Sequence, residues 1–163
     1  ENEAIAVEPS PRVRSLLYEN IDRNGFGDRI TIVEAAAGQE KGEVQFDVGP
    51  EEEVGWGGVT GSEEQTVTEG SKGTVRVAQR RLDEIVDGPV SLLKVDVEGA
   101  ETWVFQGAEE LLEPQKVDHI CFENNCVRAR RLGIEENAPI DVLERYGYGI
   151  AEKGDTLWAQ PRG

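Results

Sequence analysis

Apolar and polar positions alternate along this chain in ways that separate strands from helices. Leu92, Leu93, Val95 and Val97 form a near-continuous apolar run, the pattern of a strand covered on both faces in an α/β sheet. Gly99 frees the backbone to turn. Ala100, Val104, Gly107, Ala108, Leu111 and Leu112 then recur at helical spacing until Pro114 ends the pattern. Upstream, residues 4–7 read as a short strand ending in Glu8, and Ser10-Pro11 opens a helix that carries Val13, Leu16, Leu17 and Ile21 on one face. Asn24-Gly25 closes that helix, and residues 30–36 give the next strand, completing a unit the size of one βαβ crossover.

Downstream of Gly38 the texture changes. Residues 42–48 and 74–77 alternate like half-exposed strands, and 65–68 reads as a third. Residues 82–86 suggest a short helical piece, 117–122 a buried strand, and 140–146 a final helix. Two strands, 148–151 and 156–159, are joined by a turn in which Gly154 supplies the bend. The expectation is a single α/β domain over 1–163, mostly parallel with a C-terminal antiparallel hairpin, and an inserted strand and loop region at 39–80.

Composition narrows the partners. With 33 acidic against 17 basic residues the formal charge is −16, which argues against nucleic acid or an anionic membrane as a partner, since phosphate binding needs a basic footprint. The acids are scattered along the whole chain, a pattern that favours adaptation to high salt. No membrane span and no targeting segment is evident, and the lack of any Met implies that Glu1 is not a natural start. Cys121 and Cys126 are too few for a disulfide framework and, with only His119 nearby, make a poor metal site, so a reducing, cytoplasmic setting is expected.

Lys94, Asp96, Glu98 and Glu101 crowd the corner between the apolar strand and its helix. Ligands of open α/β sheets gather outside the carboxyl ends of strands, so chemistry is expected there, although such a corner can also be purely structural. Glu8 has two readings: a strand-tip carboxylate accepting from the hydroxyls of an adenosine ribose, or a cap for the helix that follows. Glu123 and Asn124 stand at the same kind of strand end and are candidates for substrate contact. His119 lies at the opposite end and reads as a packing residue. The Gly- and Glu-rich loop around Trp56 is either a lid with a stacking ring or a solvated acidic loop. Arg128, Arg130 and Arg131 form the one basic cluster, for which pairing with nearby acids is the expected role.

The segments VEPSPRVRSLLYENIDRNG, ITIVEAAAGQEKGEVQF, LDEIV and LLKVDVEGAETWVFQGA, followed by the strand ending in Glu123, together resemble the FkbM family of S-adenosylmethionine-dependent methyltransferases. The LKVDVEGAE block is the specific piece. The resemblance implies a Rossmann-like class I methyltransferase sheet whose first strand and Gly-rich loop would lie upstream of Glu1. It also implies S-adenosylmethionine as cofactor. Glu8, with Pro9 and Ser10, would grip its ribose, and the segment Glu34, Ala35, Ala36 and Ala37 would border the adenine. Asp96 would lie beside the methyl donor. Family members commonly methylate hydroxyl oxygens of sugars or secondary metabolites, so a small-molecule or glycan hydroxyl is the expected acceptor, with Asp96 and Glu98 as candidate bases, Lys94 a weaker one, and Trp56 in the acceptor site. No motif demands a metal, and a homo-oligomer is compatible with this reading. A non-catalytic methyltransferase-like interaction module or remnant is the rival. The geometry that would unite these readings puts Glu8 and Asp96 at the tips of parallel strands on one rim, flanking a slot one strand wide.

Overall fold

The computed structural model describes residues 3–52, 55–61, 71–154 and 156–163. Strand β1 (Ala4–Val7), helix α1 (Pro11–Arg23) and strand β2 (Ile30–Val33) form the expected βαβ unit. β1 and β2 pair in parallel from Ala4↔Ile30 to Val7↔Val33. The helix starts where the sequence says it should. Ser10 is extended, its Oγ accepts from the Val13 N–H, and Pro11 occupies the first turn, where its missing N–H costs nothing. Asn24 caps the other end, and Gly25 takes φ +68°.

The strand expected over 30–36 is broken in two. Ala35 N–H donates to the Val33 carbonyl, a tight local bond that turns the chain out of the first pair. Ala36–Ala37 (β3) then joins a separate sheet with β4 (Gly42–Asp47), β5 (Gly58–Val59) and β6 (Thr74–Arg80), in the order β3-β6-β4-β5. β3 runs parallel to β6, and the remaining pairs are antiparallel. The inserted region of 39–80 is thus largely this sheet; the strand expected at 65–68 lies outside the described residues.

A single 3-10 turn (Leu82–Glu84) leads to β7 (Leu93–Val95). The helix expected after it is two short ones, α2 (Glu101–Gln106) and α3 (Glu109–Leu112). The break falls at Gly107, which packs so closely on the Gly38 carbonyl that a Cβ there would stand 2.0 Å from the oxygen. Then come β8 (Ile120–Phe122), α4 (Cys126–Arg131), α5 (Ala138–Arg145), β9 (Tyr148–Lys153) and β10 (Thr156–Pro161). The sheet order is β7-β8-β10-β9, with β7 and β8 parallel and the β9–β10 hairpin antiparallel.

Phe105, Leu112, Val117, Ile120, Phe122, Leu143 and Tyr148 are essentially sealed from solvent and form the core between this sheet and α2, α3 and α5. Phe105 and Phe122 meet edge to face with centroids 5.2 Å apart, and the Tyr148 hydroxyl donates to the Val117 carbonyl. Two expectations are corrected here. β7 is covered on one face only: Leu93 and Val95 point inward, whereas Leu92 is 55% exposed and Lys94 and Asp96 lie on its open side. His119 is exposed rather than packed, its Nδ1 standing 2.9 Å from Gln160 Nε2. No helix among the described residues is long and apolar enough to cross a membrane.

Among the described residues β1 pairs only with β2, and β7 only with β8. Among the described residues no ladder joins β1 to β7. Val7 and Val97, just at and beyond their carboxyl ends, both pack against the common core.

Candidate functional site

The carboxyl ends of β1 and β7 open on one cleft, and Glu8 and Asp96 both line it. Ala36 and Ala37 contribute from β3, Phe46 from β4, and Gly57 and Gly58 from the strand-and-loop insertion. The cleft holds about 100 Å³, below the roughly 300–1,000 Å³ of most small-molecule sites, so it is not by itself a whole enclosed pocket.

Glu8 is half-buried just past the end of β1. The Ser10 N–H donates to its Oε1 at 2.7 Å, and none of the hydrogen bonds among the described residues goes to Oε2. Burial pushes the Glu8 carboxyl above its ordinary range, opposed by the Ser10 bond and the Arg14 charge. Glu8 therefore braces the turn before α1 and also lines the cleft. Arg14 ties this turn together by donating to the Pro9 and Glu8 carbonyls and pairing with Glu34 Oε2 at 3.0 Å.

The expected cofactor residues separate into two groups. Glu8, Pro9, Ser10, Ala36 and Asp96 line the cleft; Ala35 is buried, and Glu34 is held by Arg14 and the Tyr18 hydroxyl, with neither lining it. At the β7 corner, Lys94 Nζ donates to Asp96 Oδ2 at 2.7 Å. That bond raises the Lys94 pKa, and the Lys94 ammonium is Asp96's ion-pair partner. Glu98 takes the left-handed conformation, φ +56°, followed by Gly99 at +101°. Its Oε2 accepts from Asn125 Nδ2 at 3.0 Å and stands 3.4 Å from Arg128 Nη1. Glu101, only 1% exposed, accepts from the Gly99 and Val97 N–H groups and so braces the turn; burial pushes its carboxyl up.

Three residues expected to touch an acceptor do not line the cleft. Glu123 is exposed, Asn124 Nδ2 donates to the Glu136 carbonyl while its Oδ1 is buried without a partner, and the Trp56 side chain is 53% exposed. It is the Trp56 backbone that is engaged: Arg128 Nη1 donates to its carbonyl at 3.0 Å. Arg128 and Arg130 are paired with acids, as their charge suggested, with Glu98 and Glu136. Ala37, from the segment expected beside the adenine, also lines the cleft; the lining residues that sequence reasoning passed over include Val13, Phe46, Val48, Val97 and the Gly57-Gly58 pair. The Gly pair beside Trp56 was the one visible signal. No group of three His, Cys, Asp or Glu side chains among the described residues is arranged to hold a metal.

Comparison with known proteins bears on the fold and the family. No curated protein matches the chain. The crystal structure of methyltransferase FkbM from Methylobacillus flagellatus is similar to it, with a TM-score of 0.60 and 16% identity, covering 98% of this chain and 36% of that one. At that identity the likeness speaks for the fold, a mixed α/β one, and the chain spans about a third of that protein's length. The model of the methyltransferase FkbM domain matches residues 1–149. A match over nearly the whole chain, on a fold shared with a solved member, places this chain in the FkbM methyltransferase family.

Proposed function

We propose that the chain forms the cofactor-gripping part of an S-adenosylmethionine-dependent O-methyltransferase acting on a hydroxyl of a sugar or other small molecule. The observation that carries this reading is the meeting of Glu8 and Asp96, borne on strands of separate sheets, at one cleft. The donor set fits the cofactor's adenosine. Glu8 keeps Oε2 available to accept from ribose hydroxyls while Ser10 fixes Oε1. Ala36, Ala37, Val13 and Phe46 offer an apolar wall of the kind a purine needs. S-adenosylmethionine, when bound, supplies an electrophilic methyl group on a sulfonium sulfur. Asp96, steadied by the Lys94 ammonium, accepts the acceptor's hydroxyl proton, a role that general-base catalysis assigns to a carboxylate within reach of the reacting oxygen.

Calorimetry with S-adenosylhomocysteine on the full-length protein tests this. Removing a half-buried, hydrogen-bonded carboxylate by Glu8→Ala should weaken binding about tenfold or more. Because the ribose hydroxyls need the ionised carboxylate, affinity should also fall as pH drops through the raised Glu8 pKa. Asp96→Asn should lower the rate of methyl transfer by about a hundredfold or more with cofactor affinity nearly unchanged. Equal affinity in wild type and Glu8→Ala would remove Glu8 from the site. A full-length protein that binds no S-adenosylhomocysteine would favour the non-catalytic module.

A further inference from the structure

We propose that Glu98 and Arg128 are positioning residues that fasten the 55–59 wall of the cleft to the turn after β7, and through that wall set how firmly the cleft holds its ligand. The first part stands on geometry alone; the second rests on the cofactor reading given above.

Arg128 sits on α4 and reaches two elements far from it in sequence. Its Nη1 donates to the Trp56 carbonyl at 3.0 Å and lies 3.4 Å from Glu98 Oε2. The side chains of this pair are only 19% and 23% exposed, against 63% and 40% for Lys94 and Asp96, so solvent screens it far less. Asn125 serves both partners: its Nδ2 donates to Glu98 Oε2, and its Oδ1 accepts the Arg128 N–H while capping α4.

The surrounding backbone is shaped to let these groups meet. A Cβ on Gly58 would stand 2.8 Å from Arg128 Nη2 and 3.4 Å from Glu98 Cβ, so the wall lies flat against the pair. A Cβ on Gly99 would come within 2.6 Å of the Ala129 nitrogen, so only glycine lets the turn approach α4 this closely. Glu98 itself occupies the left-handed region, an unfavourable conformation for a residue with a side chain, held by the neighbouring Glu101 carboxylate. With Oε2 committed to Asn125 and Arg128, Glu98 acts through the wall, and of the two candidate bases it is Asp96 that lines the cleft. Gly55 and Gly57, which flank Trp56, and Gly58 and Val59, which also pair with β4, line the cleft together with Glu8 and Asp96.

Fluorine NMR on the full-length protein labelled with fluorotryptophan tests this, with the Trp56 resonance assigned by its loss in Trp56→Phe. In Arg128→Ala and in Glu98→Gln the Trp56 signal should shift and narrow towards that of the free amino acid, with Tm and far-UV spectrum close to wild type. Arg128→Lys, which can still donate to the Trp56 carbonyl, should restore much of the wild-type signal. The Kd for S-adenosylhomocysteine should rise about tenfold in Arg128→Ala, as expected for loss of a charge-assisted hydrogen bond, and less in Arg128→Lys. A Trp56 signal unmoved in both Glu98→Gln and Arg128→Ala overturns the proposal, as does a moved signal with an unchanged Kd. Should Arg128→Ala fail to fold, Glu98→Gln and Arg128→Lys decide it by the same readouts. Wild-type protein that binds no S-adenosylhomocysteine would sink the cofactor reading, while the Trp56 signal would still judge the fastening.

Discussion

Glu101 offers the sharpest test of how the corner after β7 is held. Its carboxylate is sealed from solvent, and its Oε1 receives the Gly99 N–H at 3.0 Å and the Val97 N–H at 3.4 Å across a turn with two consecutive left-handed residues. Glu101→Ala strips both donors of their acceptor. A buried N–H left unpaired costs about 1–3 kcal/mol, and the Val97 bond is long, so the loss should be about 2–4 kcal/mol. Glu101→Gln keeps a carbonyl oxygen in the same place and removes a charge that burial disfavours, so it should cost less than half as much. The pH dependence has a definite sign. Burial raises the Glu101 pKa in the folded protein, so the folded state binds the proton more tightly than the unfolded one. Its contribution is greatest below the unfolded-state pKa and is lost as pH rises through the folded-state pKa. Wild type should therefore lose stability relative to Glu101→Gln as pH rises through that window. Urea unfolding of the three proteins between acid and neutral pH measures both effects. The reasoning fails if Glu101→Ala is within about 0.5 kcal/mol of wild type, a surface-like effect, or if the Gln variant is as unstable as the Ala variant.

Two further outcomes follow from packing and capping. Gly107→Ala should destabilise by about 3 kcal/mol or more, because its methyl would meet the Gly38 carbonyl backbone; Gly27→Ala, with open space around it, should change stability little, and thermal unfolding of both checks the contrast. Ser10→Ala should cost only about 0.5–1 kcal/mol, since the Oγ to Val13 N–H bond is long at 3.4 Å, and the same melts would reveal a larger role if Tm fell further.

What could be read from the sequence was whatever local chemistry writes down. Ser10-Pro11 and Asn24-Gly25 bracket α1 because capping is a property of a few adjacent residues, and Gly154 marks the final hairpin for the same reason. Glu8 and Asp96 were visible as acids at strand ends, and they do meet at one cleft. The two-residue strands β3 and β5 are too short to show any alternation. Helix α4, CVRARR, presents no apolar stripe, and its cap Asn125 resembles any loop asparagine. The partnership of Glu98 and Arg128 spans thirty positions, and the contact of Gly38 with Gly107 spans more; no periodicity records either. Glu98 looked like a free acid because the arginine that engages it arrives from another element.

Among the described residues no ladder joins β1 to β7, which leaves a seam between them. Glu8 is mounted on one hydrogen-bonded unit and Asp96 on another, and beside them Val7 and Val97 pack on the core that both units share. Packed side chains can slide where a ladder would resist, so a ligand touching both carboxylates also works as a strut. At a hundredfold excess over its Kd such a ligand adds about 2.7 kcal/mol to the folded state, and much of that stiffening should fall along this one line.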